Sequence, residues 1–187
     1  MGELMLKTPE LLQIRHQADV TYGANQLWYL SRTRPGCQAL CPQDGAQRAG
    51  FLQLMEEVWQ YVTPGMMGVN STQLLTHGVA RFGADRGVAL HCSALDIPTL
   101  PQLRPSLEEV EDFLTQALAQ DLPVGFLNLS NGTLQNLDNW HWVTLVGYSP
   151  QDHSAQMYDQ SLRVRIALDQ WLRTTTLGGG FVTVRPA

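Results

Sequence analysis

Trp140-His141-Trp142-Val143-Thr144-Leu145-Val146-Gly147-Tyr148 reads as a strongly apolar strand that opens on a histidine set between two tryptophans. Working outward, the period of two continues on both sides. Pro123 to Leu129 reads as a strand closed by the turn residues Ser130-Asn131-Gly132. Ala155 to Asp159 and Arg163 to Ala167 are further short strands, and a helical turn follows over Leu168 to Arg173. Gly178-Gly179-Gly180 then precedes a last strand, Phe181 to Arg185.

Upstream the period changes. Ala24 to Arg32 predicts a short helix, Phe51 to Val62 a stronger one stopped by Thr63-Pro64-Gly65, and Gln73 to Phe82 a third behind the cap Asn70-Ser71-Thr72. Ser106-Leu107-Glu108-Glu109 is a capping box opening a helix that reaches Ala119, and Val88 to Leu90 predicts a short strand. Helices first and antiparallel strands second make an α+β fold. The 187 residues suit one domain: an N-terminal extension over 1–20, a mainly helical half over 21–120 and a β-sheet half over 121–187.

Charge narrows the function. The chain has 12 Lys+Arg against 17 Asp+Glu, and Lys7 is its single lysine. No basic patch of the kind nucleic acid demands is available, so nucleic-acid binding is excluded. No apolar run approaches a membrane span, the N-terminus lacks a signal-peptide pattern, and three cysteines form no disulfide framework. A cytoplasmic protein with reduced thiols is expected. His77, His91, Cys92 and His153 match no metal-ligand spacing, and no phosphate loop or other cofactor motif is present.

Asp159 follows His141 at the end of the next predicted strand. Adjacent antiparallel strands bring such residues side by side, where a carboxylate orients an imidazole for general-base work. The missing part is a nucleophile. Cys37, behind the turn Pro35-Gly36, is the candidate, since a thiol at a helix N-terminus is acidified by the dipole. Gln26 is a candidate oxyanion donor, and Trp140 and Trp142 are candidate walls of a substrate groove.

Five stretches resemble a known family: Tyr22-Gly-Ala-Asn-Gln-Leu-Trp28, Tyr61-Val-Thr-Pro-Gly-Met-Met-Gly68, Pro123-Val-Gly-Phe-Leu-Asn-Leu129, Trp140-His-Trp-Val-Thr-Leu-Val-Gly147 and Gly178-Gly-Gly-Phe-Val182. They are similar to the papain-like cysteine peptidase superfamily, in its bacterial group related to peptidases that trim bacteriocin leaders. The resemblance implies a papain-like fold, His141 as general base, Asp159 as its orienter, Cys37 as nucleophile and Gln26 as oxyanion donor. It further implies a peptide or protein substrate cut through an acyl-enzyme.

The chain departs from that pattern after Cys37, where Pro42 and Gly45 interrupt any long helix. A second register starts the nucleophile helix at Gly23, which puts Tyr22 in the nucleophile position and leaves no thiol there. Two functions therefore stand side by side: a thiol hydrolase working through Cys37, and an inactive relative that binds a peptide or protein segment.

Overall fold

The computed structural model describes residues 2–13, 21–62, 64–159 and 162–187, with only the backbone of residues 21 and 22. It is mixed α+β, built on one antiparallel sheet. The strands are β1 (Leu4–Met5), β2 (Leu90–Ile97), β3 (Val124–Asn128), β4 (His141–Ser149), β5 (Ser154–Asp159), β6 (Leu162–Ala167) and β7 (Gly179–Pro186). Their order is β2-β7-β3-β4-β5-β6, and β1 pairs with β4. The α-helices are α1 (Thr21–Thr33), α2 (Arg48–Trp59), α3 (Thr72–Asp85), α4 (Leu107–Ala119) and α5 (Leu168–Thr174).

The helical half is less purely helical than its sequence suggests. The strand expected over Val88 to Leu90 runs instead from Leu90 to Ile97 and forms one edge of the sheet, paired along its whole length with β7. Its residues show no clean alternation because Cys92 and Asp96 turn to α3 while His91 lies exposed. The expected N-terminal extension is also partly built into the fold. Leu4 and Met5 pair with Tyr148 and Gly147, Leu6 and Leu12 are buried, and residues 14–20 lie outside the described residues.

α1 lies in the core. Every residue from Gly23 to Ser31 is buried, including the polar Asn25, Gln26 and Ser31. Its polar side chains are inside together with its apolar ones, so the apolar spacing reveals only part of it. Gly23 lets α2 and α3 close in: a side chain there would press on Val58 and Leu75.

Partners in the antiparallel register share a face. Leu127 and Trp142 are opposite each other, as are Gly125 and Thr144, and Thr144 accepts from Asn25 of α1 over 2.9 Å. Phe126 belongs to the other face, where it stacks on Phe181 at 5.0 Å and meets Trp171 of α5 edge-on at 4.6 Å. Trp171 donates through Nε1 to Asn128 Oδ1 and to the Ser130 carbonyl, which pins the end of β3 beside the start of β4. The glycine run ahead of β7 has a steric origin. Gly178 and Gly179 have φ of +73° and +152°, and a Cβ at either would strike the carbonyl oxygen of Ile97 or Leu127.

Candidate functional site

His141 opens β4, directly opposite Asn128. Asp159 ends β5, beside Tyr158, which pairs with Thr144. The two side chains meet as the hairpin arrangement predicts: His141 Nε2 donates to Asp159 Oδ1 over 2.9 Å, with both side chains about one-fifth exposed. This carboxylate selects the ring orientation and is placed to stabilise an imidazolium.

Trp140 and Trp142, on either side of His141, turn to the other side of the strand and border a cleft. The cleft is small and partly open, lined by Met67, Val69, Leu127, Leu129 and the two indoles, with Gly68 and Asn70 completing it. Trp142 is buried and donates from Nε1 to the Val69 carbonyl over 2.6 Å, which ties the loop before α3 to β4. Trp140 is 46% exposed and has a φ of +55°, a left-handed backbone that a bulky residue adopts only under constraint. Strain of this kind clusters at functional sites, and here it adjoins the imidazole.

Cys37 does not join this constellation. Going down α1, Asn25 meets Thr144, Gln26 donates to the Pro123 carbonyl, Tyr29 reaches Asp121, and Arg34 beyond the helix binds the Gln120 and Asp121 carbonyls. The helix therefore runs towards the start of β3, and Cys37 follows at that end. His141 stands opposite the other end of β3, a strand about 13 Å long at ~3.3 Å per residue, so the two residues belong to opposite ends of it. The Cys37 thiol is buried, and burial pushes its pKa up despite the nearby Arg34. It precedes only a three-residue 3-10 turn, Gln38–Leu40, which offers no helix dipole to oppose that shift.

The other thiols are no better placed. Burial pushes Cys41 up to about 11, with Glu57 adding to the shift, and Cys92 up to about 11. Gln26 Nε2 donates over 2.6 Å to Pro123 in the interior, on the Asp121 side of the sheet, and does not offer that bond to an oxyanion beside His141. Tyr22 falls in the first turn of α1, and its side chain lies outside the described residues.

Sequence reasoning found the His–Asp pair and both tryptophans but missed Met67, Val69, Leu127 and Leu129. A signal for them existed. Residues 58–80, 122–137 and 139–151 contain no Asp, Glu, Lys or Arg, and every residue lining the cleft comes from these stretches. Among the described residues no cluster of three or more His, Cys, Asp or Glu could hold a metal, and no helix is long and apolar enough to cross a membrane. Comparison with protein-family models and with curated proteins finds no match to the chain.

Proposed function

We propose that this chain is a papain-like domain without a working thiol nucleophile, which binds a peptide or protein segment in the cleft between Trp140 and Met67 and does not cut it. One observation carries the reading: Cys37 sits beyond the far end of α1 from the His141–Asp159 pair, with its thiol buried and its acidity suppressed. The cleft supports binding, because it offers two indoles and aliphatic walls free of charge to an apolar side chain. Three free cysteines suit a cytoplasmic location, where thiols stay reduced.

The thiol-hydrolase reading has the 2.9 Å His141–Asp159 contact in its favour. One experiment separates the two. Tryptophan emission of the full chain is titrated with a capped heptapeptide carrying a central Leu or Phe, and the mixture is followed by mass spectrometry. The peptide is expected to bind intact. Trp140→Ala is expected to weaken binding about tenfold, the scale of losing one apolar contact wall, while Trp59→Ala and Cys37→Ala leave it unchanged. Cleavage that disappears in Cys37→Ala would reinstate the hydrolase.

A further inference from the structure

The loop before α3 holds two methionines at the tip of a tight turn, Gly65-Met66-Met67-Gly68, closed by a 3.1 Å bond from the Gly68 N–H to the Gly65 carbonyl. A side chain at either glycine would meet nothing within 4 Å, so the tip stands clear of the body of the protein. Met66 is fully exposed and Met67 is 57% exposed. Met55 and Met157 are core residues, while Met5 packs partly buried against Arg163. Met67 lines the cleft and Met66 does not.

A thioether reacts with a peroxide according to its access, and the product changes an apolar surface into a polar one. Here the sulfur lone pair attacks one peroxide oxygen as the O–O bond breaks. The sulfide becomes a sulfoxide, and hydrogen peroxide leaves as water. At Met66 the new S=O points into solvent and alters little. At Met67 it adjoins a lining that is mostly indole and aliphatic, with Asn70 its one polar side chain, and a ligand covering it would strip water from the sulfoxide.

We infer that Met67 is an oxidation site through which peroxide makes the apolar wall of the cleft polar and releases the apolar peptide side chain held there. The inference rests on the binding reading of the same cleft. Methionine sulfoxide reductase chemistry, which returns the sulfoxide to the thioether at the expense of a thiol reductant, would restore it.

The test uses the full chain and Nile red, a neutral apolar dye, so that it does not depend on a peptide having been found. After mild hydrogen peroxide treatment, peptide mapping is expected to show one added oxygen at Met66 and Met67 well before Met55 or Met157. Dye affinity is expected to fall about tenfold, the effect of desolvating one added polar group at a contact. Met67→Leu should keep its dye affinity after oxidation, and Met66→Leu should lose it like the parent. Equal oxidation of Met157, or an equal loss in Met67→Leu, would overturn the inference. Failure of every peptide to bind, with the dye results as expected, would instead overturn the peptide-binding reading and leave the oxidation site standing.

Discussion

At the scale of single residues, the three cysteines, of which the sequence singles out Cys37, have one property in common: burial raises all three thiols. A thiol near 11 is almost wholly protonated at neutral pH, so its thiolate is scarcer than that of an ordinary thiol by about two orders of magnitude. Iodoacetamide at pH 7.5 should therefore label none of the three quickly in the folded protein and all three in denaturant. Labelling of Cys41 and Cys92 should keep accelerating as pH rises towards 11. A fast-reacting Cys37 with a rate already level at pH 7 would contradict the structure. The His141–Asp159 pair was legible because two strands joined by a short turn fix which residues become neighbours. The place of Cys37 was not, since it depends on the direction in which α1 crosses the sheet, and no local pattern encodes that.

Elements differ in how openly they announce themselves, and the difference is physical. α4 begins with Ser106, whose hydroxyl accepts from the Glu109 N–H over 3.2 Å while the Glu109 carboxylate accepts from the Ser106 N–H over 2.7 Å. The Ser106 N–H, together with the Ser106 hydroxyl that donates to the same carboxylate over 2.9 Å, holds the Glu109 carboxyl below its usual range. The stabilisation they bring is thus present above the ordinary carboxylate pKa and is lost as pH falls through the lowered one. Ser106→Ala should cost about 1 kcal/mol in urea unfolding. A loss too small to measure would mean that α4 is held by packing alone. A capping box can be read from four letters. α1 and β2 cannot be read so easily, because what they face decides them. α1 is surrounded by core and carries polar residues inside, and β2 gives one of its faces to α3.

Across the whole molecule, one residue gathers distant parts. Asp121, buried and with a φ of +57°, accepts from the Lys7 N–H and the Tyr29 hydroxyl through one oxygen and pairs with Arg34 through the other. Burial, with this carboxylate beside it, pushes the Tyr29 phenol up to about 12, so Tyr29 remains a donor throughout the neutral range. Asp121→Ala should destabilise the protein by about 3 kcal/mol, since it strands the donors and places alanine in a left-handed backbone. Asp121→Asn, which tolerates that backbone and keeps one acceptor, should lose clearly less. Equal losses in the two variants would show that charge alone matters there. The α+β class was legible from the change of period near residue 120, but the sheet was not confined to the second half. It recruits β2 from residue 90 onward and β1 from the first residues, through contacts that only the completed sheet makes available.

That last recruitment bears on how the chain acquires its shape. Leu4 pairs with Tyr148, and the Leu6 N–H donates to the Val146 carbonyl. Synthesis runs from N- to C-terminus, so β1 is made well before β4 and has to wait for it before it can pair. A strand made before its partner is placed only after it.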